Sequence, residues 1–448
     1  MSELAIARGV TKPTMSGDAL IDGLISHYAW SGSALTYAFP SRPGDYNYSG
    51  EPDKGFRSVS NEQKAAARFV LDANDGNAAN DGFSVEGLTD LDVSVGTQDK
   101  ADIKIAESSA ANPTAYGYLP STTQKGGDVW FGTSYNYRSP EPGNYSFLTM
   151  LHELGHALGL KHGHNASDGW RALPDKYDSL EFSVMTYRTY VNSGTKAYSF
   201  EKNGAPQTYM MADIAALQYL YGADFSTNSS DTVYSWSPGN GKTEVNGVVA
   251  IAPAANRIFA TIWDGGGIDT YDLGAYSSNL KIDLAPGGHC VFRGVQLADL
   301  GGGPNNGHAR GNIFNARLYE GDQRSLIENA IGGKGNDKLM GNVGDNQLEG
   351  GNGVDRLFGR GGNDVLVGGA GRDHFVFAKN HDADSIDDFE DGLDLIHLNS
   401  FALGSEALAL GLATEVAGDV VFDFGGGDTL TIRNISLASI TEADIVLG

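Results

Sequence analysis

Residues 152–162 read HELGHALGLKH and bring three imidazoles and a carboxylate into one short segment. His152 and His156 are spaced i, i+4, so on a helix they share a face one turn apart. Gly159 lets the chain leave that helix through a left-handed residue, which a Cβ would resist. The chain then doubles back and can bring His162 to the same point. Three neutral imidazoles around one point suit a zinc ion that keeps an open coordination position. Glu153, beside the first of them, is placed to take a proton from water held by such an ion. Further on, residues 183–187 read SVMTY. Met185 suits a tight turn beneath the metal, its thioether a soft packing floor rather than a ligand. Tyr187 can reach the same site with its phenol. His164 falls outside the spacing and reads as a solvated loop histidine.

These side chains need a scaffold, and the pattern around them supplies one. Residues 33–39, 91–95 and 101–106 alternate as strands, and DVWF at 128–131 reads as another. Ser60 and Gln63 form a capping box ahead of a helical run through Leu71, with Val59 as its staple. The helix that carries the histidines runs from about Ser146 to Gly159, and another covers about Tyr209 to Tyr221, with Ile214, Leu217 and Leu220 on one side. Mixed strands and helices to about Gly222 indicate an α/β or α+β domain.

After Gly222 helical periods fade, and Gly, Asp and Asn dominate. Residues 332–376 divide into five nonapeptides: GGKGNDKLM, GNVGDNQLE, GGNGVDRLF, GRGGNDVLV and GGAGRDHFV. Position 4 is always Gly, position 6 is Asp337, Asn346, Asp355, Asp364 or Asp373, and position 8 is Leu339, Leu348, Leu357, Leu366 or Phe375. This resembles the calcium-binding repeat of RTX proteins. Its glycines allow φ > 0, so carbonyls can turn towards an ion, and the position-6 carboxylate adds a hard oxygen that suits calcium. One inward apolar residue per copy fills only a thin core, so the ions must contribute folding energy. Asn346 and Arg360 depart from the pattern: the first removes a charge and the second puts a side chain where the turn has glycine. A degenerate copy, DGGGIDTYD, lies at 264–272.

Composition agrees with a cation binder. Of 448 residues, 56 are acidic and 31 basic, giving a formal net charge of −25. That excludes nucleic acid and anionic membranes as natural partners. No apolar run is long enough to span a bilayer, and the N-terminus lacks the basic-then-apolar build of a signal peptide. Cys290 is the one cysteine, so no intrachain disulfide forms, and it reads as a packed structural residue.

Taken together, the zinc motif, SVMTY, DIAALQYLYG at 213–222, WDGGGIDTYD, the nonapeptides and DSIDDFEDGLDLIHL at 384–398 resemble the serralysins, secreted calcium-stabilised zinc endopeptidases of bacteria. The resemblance covers nearly the whole chain. It implies an α+β fold class: a metzincin-type zinc protease domain over 1–222 with a removable N-terminal lead, then an all-β parallel β-roll/sandwich domain over 223–448. His152, His156 and His162 would hold zinc and Glu153 would be the general base. Tyr187 would ligate zinc in the resting enzyme and swing away to steady the oxyanion. Calcium would lie between turns two repeats apart, pairing Asp337 with Asp355 and Asp355 with Asp373, with Asp384 closing the last site. The implied ligand set comprises Gly332, Lys334 and Asp337, then Gly350, Gly351, Asn352, Gly353 and Asp355. It continues through Gly359, Gly361 and Asp364, then Gly368, Gly369, Ala370, Gly371 and Asp373. Near the junction the matching positions are Asn228, Ser230, Thr232, Asp264, Gly266 and Asp269. Gly163 stands where the family usually has proline, which loosens the loop beside His162. The C-terminus, Asp444 to Gly448, resembles the family's acidic-then-apolar export signal.

The expected function is hydrolysis of peptide bonds in protein substrates, with broad specificity because an extended substrate pairs through its backbone with an edge strand around 128–131. The expected partners are the type I export machinery and a proteinaceous inhibitor; the expected state is a monomer outside the bacterial cell. The competing reading is a secreted calcium-binding or adhesive module with an inactive protease domain.

Overall fold

A computed structural model describes residues 9–166 and 169–448; residues 1–8, the start of the predicted N-terminal lead, lie outside them. The chain divides into two units. One comprises Met1–Thr227, Val249–Gly265 and Leu297–Arg310; the other comprises Asn228–Val248, Gly266–Gln296 and Gly311–Gly448.

The first unit is built on a five-stranded sheet in the order Asp92–Val95, Ala34–Ala38, Ile103–Glu107, Val129–Phe131, Ala115–Gly117. Neighbours pair in parallel except the last two strands, which are antiparallel with Tyr116 opposite Trp130. Every residue of Ile103–Glu107 and Val129–Phe131 is buried, as expected of strands covered on both faces. The edge-strand expectation for 128–131 is therefore corrected. Val129, Trp130 and Phe131 are apolar on both faces and lie inside the sheet, whereas the short, half-buried Ala115–Gly117 is the edge.

Helices stand where the 3.6-residue period places them. Asn61–Leu71 is capped by Ser60, whose hydroxyl accepts from the Gln63 amide at 3.0 Å while Gln63 returns a bond to the Ser60 amide at 2.8 Å. Tyr145–Ala157 carries the first two histidines and is capped by the Asn144 side chain, which accepts from the Phe147 amide at 2.9 Å. Gly159, at φ 98°, takes the chain out of it. Met211–Tyr221 differs from the one-sided stripe expected: Met211, Ala212, Asp213, Ile214, Ala216, Leu217 and Gln218 are all buried. Small alanines let neighbours close over most of its circumference.

In the second unit the nonapeptides alternate between two parallel sheets. One contains Thr270–Asp272, Asn329–Ile331, Gln347–Gly353, Val365–Gly371 and Ala383–Ile386. The other contains Lys281–Asp283, Lys338–Met340, Arg356–Phe358, His374–Ala378, Leu395–Asn399 and Ile445–Leu447. Residues two repeats apart stand side by side, Leu348 with Leu366 and Leu339 with Leu357 and Phe375. The position-8 residues form the thin core, none more than 1% exposed. The antiparallel strands Ala413–Val416, Asp419–Gly425 and Asp428–Ile432 follow the repeats and were not read from the sequence. Among the described residues, no helix is long and apolar enough to cross a membrane.

Candidate metal and catalytic site

His152, His156 and His162 converge. The Nε2 atom of His162 lies 3.0 Å from that of His156 and 3.2 Å from that of His152. The other ring nitrogens of the helical pair are committed: Nδ1 of His152 meets the Val184 carbonyl and Nδ1 of His156 the Leu160 carbonyl, each at 2.8 Å. A carbonyl only accepts, so each Nδ1 carries the proton and each Nε2 presents a lone pair. Lone pairs aimed at one another at this range repel unless a cation lies among them, so the donor set fits a metal with nitrogen ligands. Burial, followed by the neighbouring imidazoles for His152 and His162, holds the three far below the ordinary histidine value, at about 3, 4 and 2 for His152, His156 and His162. They are therefore neutral, as ligands must be.

Glu153 is 6% exposed, and burial pushes its carboxyl up to about 8, against the pull of a hydrogen bond from the Gly117 amide. Gly117 is on the sheet edge, and it is glycine for a reason: a Cβ there would lie 2.3 Å from the Glu153 carbonyl oxygen. The Tyr187 ring centroid lies 4.5 Å from that of His162 and 5.5 Å from that of His152. Burial, then the charge of Glu153, raises its phenol to about 12, so it stays protonated. A cleft of about 890 Å³ opens at this point, lined by Ala115, Tyr145, Thr149, His152, Glu153 and Tyr187 among others.

Met185 lies under the histidine helix as expected, close enough that a Cβ on Gly155 would sit 2.5 Å from its sulfur. His164 departs from its expectation. Its ring is 5.3 Å from that of His162 and 4.8 Å from that of Tyr187, a packed rather than solvated place. Cys290 is buried and free, its thiol pushed up by burial to about 12.

Two supports were not read from the sequence. Asp213, fully buried, accepts from the Ser183 hydroxyl at 2.6 Å, the Val184 amide at 2.8 Å and the Met210 amide at 3.0 Å. It thereby fixes the turn whose Val184 carbonyl orients His152. Lys161 donates its three ammonium protons to the carbonyls of Gly23 at 2.6 Å, Arg171 at 2.8 Å and Asn165 at 2.9 Å. That ties down the loop in which Gly163 replaces proline. An acid at the third position of a helix without a Ser, Thr, Asn or Asp cap was the available signal for Asp213; Lys161 left none.

A family model described as "Peptidase M10 serralysin C terminal" matches residues 223–448. The chain is 32% identical to Metallopeptidase AprA of Pseudomonas marginalis, over 92% of this chain and 83% of that protein. The chain belongs to the serralysin family. It is also 38% identical to Metalloprotease AprA of Pseudomonas entomophila, over 74% of this chain and 68% of that protein. To Serralysin of Proteus mirabilis it is 34% identical, over 70% of this chain and 60% of that protein. At family level this serralysin is a metalloprotease.

In the second unit of this serralysin the position-6 side chains form two ladders. Asp355 Oδ1 accepts from the Asp337 amide at 2.7 Å and Asp373 Oδ1 from the Asp355 amide at 2.8 Å. On the other side Asp364 Oδ1 accepts from the Asn346 amide at 2.8 Å and Asp384 Oδ1 from the Asp364 amide at 3.1 Å. The Oδ2 atoms of Asp355, Asp364, Asp373 and Asp384 are buried with no hydrogen-bond partner. Four orphaned carboxylate oxygens in glycine turns fit a hard cation. Around them, Gly351, Gly353, Gly369 and Gly371 have positive φ, as the turn requires. Gly332, Lys334, Gly350, Asn352, Gly359, Gly361, Gly368 and Ala370 occupy the same turns. Of the junction residues, Asp264 falls in the first unit and Asn228, Ser230, Thr232, Gly266 and Asp269 in the second, where the Thr232 amide donates to Asp269 at 2.8 Å.

Proposed function

We propose that this serralysin-family chain is a secreted, broad-specificity zinc endopeptidase, with a metzincin catalytic domain over 1–222 and a calcium-binding RTX domain over 223–448. The observation that carries the reading is the convergence of three Nε2 lone pairs beside a buried carboxyl. His152, His156 and His162, with Tyr187 beside them, would hold zinc, which would supply Lewis acidity towards a carbonyl and a water in the cleft. Glu153, whose carboxyl the charge of a bound cation would return towards the ionised form, would take a proton from water in the cleft and hand it to the leaving amine. The Tyr187 phenol, once away from the metal position, would donate to the oxyanion that develops on the carbonyl. An extended peptide pairs with the free edge of Ala115–Gly117, which brings its backbone past Glu153 and makes main chain, rather than side chains, the main contact.

Calcium fits the second unit, through Asp337, Asp355, Asp364, Asp373 and Asp384 with the turn carbonyls. Low calcium inside the cell and high calcium outside would delay folding of the repeats until type I export is complete. A monomer restrained by a proteinaceous inhibitor completes the proposal.

The test is casein hydrolysis by the wild type and Glu153→Ala in millimolar calcium, with circular dichroism on both. Loss of activity by several orders of magnitude with the fold intact is expected. Equal inertness of two folded proteins would instead support a binding module with an inactive protease domain.

A further inference from the structure

Two turns of the repeat region differ from the rest: at Asp337 both carboxylate oxygens are met by amides, of Leu280 and Gly333 at 2.7 Å each, and in the turn 341–346 the carboxylate itself is replaced by an amide. In the turns that end at Asp355, Asp364, Asp373 and Asp384, one carboxylate oxygen stitches layer to layer and the other is buried without a partner. In the turn 341–346 the chain's own nitrogens fill these roles. Asn346 Oδ1 accepts from the Asn342 amide at 2.7 Å, and its Nδ2 donates to the Glu328 carbonyl at 2.9 Å. Asn342, at the position that is glycine in three of the other four copies, donates Nδ2 to the Ile327 carbonyl at 2.7 Å.

Arg360 completes the arrangement. It replaces the second glycine of its repeat and still adopts φ 78°, a left-handed conformation that strains a residue bearing a side chain. From there its guanidinium reaches back one layer, donating to the Gly341 carbonyl at 2.6 Å and to Asp283 Oδ1 at 2.8 Å. So the first carbonyl of the turn 341–346 meets a positive charge that belongs to the protein, and the residue that elsewhere offers an anionic oxygen offers an amide instead.

We propose that the turn 341–346 takes no calcium ion, because Arg360 and Asn346 supply from the chain the charge and hydrogen bonds that a calcium ion supplies at the neighbouring turns. The inference rests on the calcium reading above. Its consequence is a layer inside the repeat array whose geometry is independent of calcium, flanked by layers that depend on it. Removing the arginine would take its donor from the Gly341 carbonyl and leave Asp283 Oδ1 with only the Ala285 amide, at 3.2 Å.

The test restores the repeat. Bound calcium per chain is measured by atomic emission after equilibrium dialysis in millimolar calcium, with circular dichroism to verify the fold. The double variant Arg360→Gly with Asn346→Asp is expected to bind one ion more than the wild type. Asn346→Asp alone, with the guanidinium still present, is expected to keep the wild-type count. An unchanged count in the folded double variant, or a gained ion in Asn346→Asp, would overturn the inference. A wild type that binds no calcium at all would overturn the calcium reading itself, so the two failures are separable.

Discussion

Replacing Asp213 by alanine strips a buried carboxylate from a site where three donors depend on it. The Ser183 hydroxyl and the Val184 and Met210 amides, now at 2.6, 2.8 and 3.0 Å from it, lose their acceptor together. A buried donor left unsatisfied costs about 1–3 kcal/mol, and water entering the vacated space recovers part of that, so a loss of about 3–5 kcal/mol is expected. Against a total stability of about 5–15 kcal/mol the effect is large. It also reaches the metal. The Val184 carbonyl orients His152 from 2.8 Å, and loosening such an outer partner typically weakens metal affinity about 10–100-fold. Asp213→Asn keeps one oxygen acceptor and should lose less on both counts. Urea unfolding in millimolar calcium gives the stability, and casein hydrolysis against free zinc gives the affinity. If Asp213→Ala unfolds within about 0.5 kcal/mol of the wild type and needs no more zinc, the hydrogen-bond account of this turn is wrong.

Three further outcomes follow from the same geometry. Burial raises Glu51, but hydrogen bonds from Tyr118 and Lys125, and then Tyr116, outweigh it and bring the carboxyl down to about 2 from the ordinary 4.5. A depressed carboxyl stabilises fully above its unfolded value and loses that contribution as pH falls towards its folded value, so Glu51→Gln should flatten the acid limb of the stability curve between pH 4.5 and 2. Lys161→Met leaves three carbonyls without a donor, and the His162 loop should become the first point of cleavage in limited proteolysis, with about 3 kcal/mol lost overall. Gly117→Ala forces a Cβ against the Glu153 carbonyl, 2.3 Å away, and kcat/KM on casein should fall about 100-fold while global unfolding shifts little; wild-type activity in that variant would remove the edge strand from the mechanism.

What could be read from the sequence and what could not separate along one physical line. The three histidines, Glu153, the capping box at Ser60 and the alternating repeats were legible because their information is local: spacing along a helix, a turn glycine, a fixed nine-residue register. The edge of the sheet was not. Whether a strand lies inside depends on what pairs beside it, and the strand that covers Val129–Phe131 is a three-residue segment, Ala115–Gly117, too short to show a period. Asp213 and Lys161 were missed for a similar reason: each also bonds a distant segment, Ser183 and Val184 from 30 and 29 residues away for Asp213 and Gly23 from 138 for Lys161.

The distant contacts nonetheless follow a rule. In the first unit each helical histidine is aimed by a carbonyl outside its helix, and each of those segments is held by a buried ionisable side chain: Val184 by Asp213, the Leu160–His162 stretch by Lys161. In the second unit the same job, holding several carbonyls in one orientation, falls to glycine turns and carboxylates that leave an oxygen unpaired. A carbonyl cluster needs a positive partner, and a chain can meet that need with an ammonium, a guanidinium or a bound ion. Lys161 holds three carbonyls with protons of its own, and Arg360 does the same for Gly341. Where no such side chain reaches, as around Asp355 and Asp373, the buried Oδ2 atoms have no hydrogen-bond partner, and these are the places the proposed calcium would fill.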